Sequence, residues 1–129
     1  MLGRYNALPT LPTSDLDRAR AFYEGVLGLE PVETDNEGVT YPAGAGRFLV
    51  YPSAYAGTNK ATAVAFQIPG EEFDQEILQL RAAGITLDTF EYEDAVWEGG
   101  VMTVGDMRGA WFRDPDGNII SVETHPNIP

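Results

Sequence analysis

Apolar residues recur along the chain at two spacings, and the spacings alternate. In "NALPTLPT" (6–13) the apolar and polar positions alternate as in a strand, and Pro9 and Pro12 make it an edge or irregular one. "TSDLDRARAFYEGVLGLEP" then switches to helical spacing. Ser14 or Asp15 is placed as N-cap, Leu16, Ala19, Phe22, Tyr23, Val26 and Leu27 form the apolar stripe, and Gly28 is the stop. Three short strands are predicted next, over Glu30–Thr34, Val39–Pro42 and Arg47–Tyr51, with Gly38 and the "AGAG" of Ala43–Gly46 as punctuation.

The same order then repeats. "KATAVAFQIP" (60–69) reads as a strand, and "GEEFDQEILQLRAAG" (70–84) as a helix with Phe73, Ile77 and Leu80 inward. "ITLDTFEY" (85–92) is strand-like, and Asp114-Pro115-Asp116-Gly117 is the turn of a closing hairpin. Gly28 and Gly84 lie 56 residues apart, as do Tyr5 and Ala61. That period predicts a duplicated β-α-β-β-β unit in a single domain, with modules at 1–56 and 57–129. Residues 91–107 have no counterpart in the first copy. Their glycines and acidic residues suit an insertion that is a lid over a cavity, a hairpin completing the sheet, or a dimer contact.

Composition excludes several chemistries. The chain has no cysteine, hence no disulfide, thiolate metal site or cysteine nucleophile, which is compatible with a cytoplasmic protein. Neither a membrane-length apolar run nor a signal peptide is present. A net charge of −12 repels phosphate backbones, so nucleic acid is not an expected partner. The charge is read as a solubility device, with attraction of a cationic ligand as the sharper alternative. "AGAG" lacks the Lys-Ser/Thr end of a phosphate loop, and a Ser-His-Asp triad has no credible histidine. The single histidine, His125, lies in the tail "THPNIP" and is read as an exposed residue.

Three motifs carry a family resemblance. "SDLDRARAFYEGVLGLEP" (14–31) resembles the first-helix signature of the vicinal oxygen chelate superfamily, which includes glyoxalase I, extradiol dioxygenases, fosfomycin-resistance enzymes and bleomycin-binding proteins. "ATAVAFQI" (61–68) resembles the strand opening its second module, and "GAWFRDPDGNIISV" (109–122) its closing hairpin. The resemblance implies an α+β fold of two βαβββ modules forming an open curved barrel, a ligand or metal in the enclosed cleft, and a homodimer. In metal-dependent members, His, Glu or Gln from four strands surround a divalent Mn, Fe, Ni, Zn or Mg ion. The matching positions here are Leu8, Leu49, Ala63 and Ser121. Leucine and alanine have no donor atom and a lone serine cannot hold such an ion, so no metal or other cofactor is expected.

If those positions face a cleft, strand alternation extends the list of ligand-binding residues. Asn6, Leu8 and Thr10 share a face, as do Arg47, Leu49 and Tyr51; Ala63, Ala65 and Gln67; and Ile119, Ser121 and Glu123. Trp111 could line the neighbouring strand. Trp97, Trp111, Tyr51 and Met102 could form an aromatic box for a flat or cationic molecule, or be ordinary core. Arg47, Tyr51 and Glu123 are the catalytic candidates: a carboxylate partner, a hydrogen-bond donor or acid, and a general base. Each is also an ordinary residue of a strand or strand end. The leading expectation is metal-independent binding of a small organic molecule, as in the bleomycin-binding branch. The alternative is a metal-independent lyase, isomerase or hydrolase, and a metal-dependent glyoxalase or dioxygenase ranks third.

Overall fold

The structure, a computed structural model, describes residues 1–124 and falls into two compact units. One comprises Met1–Ala63 with Asp114–Asn118, the other Val64–Arg113 and the chain from Ile119 onward. His125 lies outside the described residues.

The first unit runs β1 (Thr10–Thr13), α1 (Leu16–Arg20), β2 (Glu33–Asp35), β3 (Gly38–Ala43) and β4 (Gly46–Pro52). Its sheet has the order β1-β4-β3-β2, with β1 and β4 parallel and the other pairs antiparallel. Asp15 caps α1 by accepting from the Arg18 N–H at 3.1 Å. After Arg20 the helix widens into a π-turn over Ala21–Val26, where the Leu27 N–H donates to the Phe22 carbonyl at 2.9 Å. Gly28, at φ +73°, supplies the left-handed stop. The helix covers the side of β4 that carries Phe48 and Val50. Beneath it, Tyr23 and Tyr41 stack at 5.5 Å, and Phe48 lies 5.6 Å from each. All three are buried, and they form the aromatic centre of this core.

Two strand boundaries differ from the expected ones, and proline explains both. The first strand was expected from residue 6 but starts at Thr10, because Pro9 has no N–H and contributes only its carbonyl, which accepts from Leu49 N at 2.9 Å. Leu8 and Asn6 therefore lie before the strand and are exposed. The second strand, expected over Glu30–Thr34, is confined to Glu33–Asp35 after Pro31.

The turn Asp114–Asn118 clasps the start of the first unit. Asp114 accepts four hydrogen bonds, from Tyr23 Oη at 2.7 Å, Asn118 Nδ2 at 2.8 Å, and the Asp116 and Asn118 N–H groups at 2.9 Å. Asp116 accepts from Thr13 Oγ1 at 2.6 Å, from Ser14 N–H and Oγ at 2.9 and 2.7 Å, and from Arg18 Nη2 at 3.0 Å. Asn118 Nδ2 also donates to the Pro12 carbonyl at 2.8 Å. Burial pushes the Asp116 carboxyl up, but the hydroxyl and N–H donors outweigh it, and its pKa lies below the ordinary value of 3.8. Burial, followed by the neighbouring Asp114 charge, pushes the Tyr23 phenol far up, so it stays protonated and donating.

The second unit contains β5 (Thr62–Ile68, whose first two residues count with the first unit), α2 (Gly70–Ala82), β6 (Val96–Glu98), β7 (Val101–Val104), β8 (Met107–Arg113) and β9 (Ile119–Thr124). The sheet order is β5-β9-β8-β7-β6. α2 lies against β9 and buries Phe73 and Ile77 with Ala110, Phe112, Ile120 and Val122. Arg108 leaves the same face, stacks 4.8 Å over the Phe73 ring and pairs with Asp74 at 2.8 Å. The "ITLDTFEY" segment is not a strand: it makes one bridge, Asp88 to Trp111, with the Asp88 N–H donating to the Trp111 carbonyl at 2.7 Å. Within 91–107, β6 and β7 form a hairpin on the sheet edge, turned by Gly99 and Gly100 at φ +57° and +82°.

Candidate functional site

Strand register shows which side chains share a face. In the second sheet, Trp97 lies opposite Met102, Met102 opposite Gly109, Gly109 opposite Glu123, and Trp111 opposite Ser121. These residues therefore occupy the face turned away from α2, and five of them (Trp97, Met102, Trp111, Ser121 and Glu123) are sequence-predicted site residues. Met102 and Ser121 are buried, whereas Trp97, Trp111 and Glu123 are half-buried.

Two further residues shape this face. A side chain at Gly109 would meet Trp111 Cη2 at 3.0 Å and Cζ3 at 3.2 Å. The benzo ring of Trp111 thus lies where a side chain at 109 would stand, between the Met102 and Glu123 positions. Phe90 closes the group: its ring is 4.8 Å from that of Trp111 and 5.2 Å from that of Trp97, both edge-on, and the two indoles are 6.1 Å apart. Tyr92 extends it with a ring 6.4 Å from Phe90. Phe90 was not among the expected residues. The fold places it through Asp88, which bridges to Trp111; two residues on, an extended chain returns to the same face.

In the first sheet, Thr10 lies beside Leu49 and Pro12 beside Tyr51, while Arg47 lies opposite Pro42. Thr10, Arg47, Leu49 and Tyr51 therefore share the face opposite Phe48 and Val50. Thr10 and Arg47 are exposed, and Leu49 and Tyr51 are half-buried. Leu8 is 47% exposed and lies outside the strand, so it is not brought onto this face by β1. On β5, Ala63 is half-buried, and Ala65 and Gln67 are exposed.

The three catalytic candidates have one property in common. Among the described residues, Arg47, Tyr51 and Glu123 have no hydrogen-bond or ion-pair partner. Several other polar side chains do pair with one another. Glu24, for example, accepts from Arg20 Nε at 2.7 Å and Tyr41 Oη at 2.9 Å. The Arg20 hydrogen bond leads in holding the Glu24 carboxyl below its usual range, and burial, then the Glu24 hydrogen bond, pushes the Tyr41 phenol up. A recess of about 440 Å³ borders Thr13, Ser14, Pro52 and Ser53, but Thr13 and Ser14 are engaged in the Asp116 clasp. In the segment after β4, Ser53 lines this recess and Tyr55 is exposed; Thr58 donates to the Tyr55 carbonyl at 2.8 Å.

The donor set does not fit a divalent-metal site of the kind the resemblance implies. Leu8, Leu49 and Ala63 offer no donor atom, and Ser121 alone offers a neutral hydroxyl. Among the described residues, no three His, Cys, Asp or Glu side chains converge. What the second sheet does offer is an aromatic platform with one carboxylate beside it.

Known proteins with this architecture are numerous. A glyoxalase/bleomycin resistance protein/dioxygenase from Alicyclobacillus acidocaldarius superposes with a TM-score of 0.71 at 15% identity, covering 96% of this chain and 93% of its own. Fosfomycin resistance protein FosX from Listeria monocytogenes, in complex with Mn(II) and sulfate, gives 0.70 at 17%, covering 98% and 94%. Lactoylglutathione lyase from Agrobacterium tumefaciens gives 0.66 at 22%, covering 96% of each chain. No curated protein matches in sequence. Among the described residues, no helix is long and apolar enough to cross a membrane. The family model of the Glyoxalase/Bleomycin resistance protein/Dioxygenase superfamily matches residues 6–122. With β1-α1-β2-β3-β4 repeated as β5-α2 and the strands to β9, and with that match spanning both copies, the chain belongs to this superfamily.

Proposed function

We propose that this protein binds a small organic molecule directly, without a metal ion, and that the aromatic face of the second sheet is the principal contact. The carrying observation is the group of half-buried Trp97 and Trp111 with exposed Phe90 on the face away from α2, on the same face as Glu123, whose side chain has no partner among the described residues. Aromatic rings left partly open on a sheet face supply apolar area for a ligand, and one polar group can orient it. The set of ligand contacts in this reading also includes Met102 and Ser121 on the same face. A cytoplasmic homodimer that sequesters a drug or metabolite completes it.

A ligand screen by thermal shift in excess EDTA tests the reading, since a ligand that binds only the folded state raises the melting temperature with its concentration. Hits that stabilise the chelated protein are expected. Hits that appear only after Mn(II) or Zn(II) is added would sink the metal-free claim. Light scattering checks the dimer. The unpaired state of Glu123 also supports a second reading, an enzyme with Glu123 as general base and Tyr51 or Arg47 assisting. Turnover of a hit that Glu123→Gln abolishes, with binding retained, would replace sequestration by catalysis.

A further inference from the structure

We infer that the ligand of the aromatic face is an organic cation, in which a planar ring carrying a delocalised or alkylated ammonium lies against the Trp111 indole with its charge directed at Glu123. This rests on the preceding reading of the face as a ligand site. It adds the chemical class.

Three features point to a cation. The first is placement. Glu123 stands directly across from Gly109, and the Trp111 benzo ring fills the space over that glycine. Side chains on directly opposed residues start about 5 Å apart, so the Glu123 side chain leaves the strand next to the position the ring fills. A cation resting on the indole face is attracted by the ring quadrupole and by that carboxylate together.

The second feature is that Glu123 is not already neutralised. The three arginines of the second unit are all committed elsewhere. Arg81 donates to the Gly99 carbonyl, Arg108 pairs with Asp74 at 2.8 Å on the face toward α2, and Arg113 pairs with Asp88 at 2.8 Å. Glu123 has no partner among the described residues. An anionic ligand would approach an uncompensated carboxylate, and a neutral one would help to desolvate it, which costs free energy. A cation removes that cost.

The third feature is the surrounding field. The second unit carries eleven carboxylates against its three arginines, within a chain of net charge −12. Glu91, Glu93, Asp94 and Glu98 lie close in sequence to Phe90, Tyr92 and Trp97 and are exposed, so they add to that field. Such a field concentrates cations near the site and repels anions, more strongly at low salt.

The test compares N-methylquinolinium with quinoline, kept neutral by a slightly basic buffer, against the full chain by calorimetry at low salt. The cation is expected to bind about tenfold more tightly than the neutral ring, the scale of a partly desolvated cation–π contact. Glu123→Gln, nearly isosteric, is expected to remove most of that preference and leave the affinity for quinoline within about twofold. Gly109→Ala, which forces the indole aside, is expected to weaken both probes. Equal binding of the two probes by the wild type overturns the charge preference and leaves the apolar site standing. A cation preference that survives Glu123→Gln overturns the role given to Glu123. If neither probe binds while the ligand screen has produced hits, this inference alone fails; if the screen also produced none, the underlying reading fails with it.

Discussion

The two units both pair a sheet with a helix but differ in where their main aromatic cluster lies. In the first, Tyr23, Tyr41 and Phe48 lie beneath the helix and are no more than 1% exposed. In the second, α2 covers Phe73, Phe112 and aliphatic residues, while Phe90, Trp97 and Trp111 gather on the other face, with Phe90 42% exposed. Thr13, Ser14, Asp114, Asp116 and Asn118 satisfy one another in the first cluster, whereas the Glu123 side chain beside the second has no partner among the described residues. One cluster holds the fold together, and the other leaves its rings partly open, which is what the proposed ligand reading rests on.

That contrast can be broken by mutation. Phe48→Ala is expected to cost about 3–5 kcal/mol in urea unfolding, because it empties a packed aromatic site. Phe90→Ala, on an exposed ring, is expected to cost less than about 1 kcal/mol while weakening ligand binding. Similar losses from the two would erase the distinction between core and site. Asp114→Ala comes next: four donors lose their acceptor, and a loss of about 3 kcal/mol is expected. A loss below about 1 kcal/mol would show that the clasp is not structural.

The clasp also predicts an acid limb. The Asp116 pKa is depressed in the folded state, so the unfolded chain takes up a proton first as pH falls. Its contribution is fully present above the ordinary carboxylate pKa of about 4 and is lost as pH drops through the lower folded value. Denaturant midpoints measured across that range should fall less steeply in Asp116→Asn than in the wild type. An unchanged slope would contradict the assignment. The smallest effect is expected at Arg113–Asp88, 2.8 Å apart on a largely exposed side chain, where a double-mutant cycle should give less than about 1 kcal/mol.

Periodicity and turn chemistry made most of the fold legible. The helical stripe, the Gly28 stop and the DPDG turn are all local signals, and the 56-residue repeat predicts a second copy. Strand alternation likewise puts Ser121 and Glu123 on one face, and the aromatic-box reading groups Trp97, Trp111 and Met102 with Tyr51. Register places the two tryptophans and Met102 on the Ser121–Glu123 face and Tyr51 on the first sheet. Prolines shifted the limits of β1 and β2, and so carried Leu8 off its expected face. Residues 85–92 look strand-like, yet only Asp88 bridges, because β7 takes the rest of that edge of β8. Phe90 and Gly109 could not be singled out, since their importance depends on a ring reaching across from another residue. Local patterns carry no trace of that.

The most direct test of the central claim uses the two indole N–H resonances, because Trp97 and Trp111 are the only tryptophans in the chain. EDTA-treated, nitrogen-15-labelled protein is titrated with N-methylquinolinium and followed by heteronuclear NMR. Both indole signals should shift in a saturable way with no metal present. Indole signals that stay still, or that move only after a divalent metal is restored, would contradict the account.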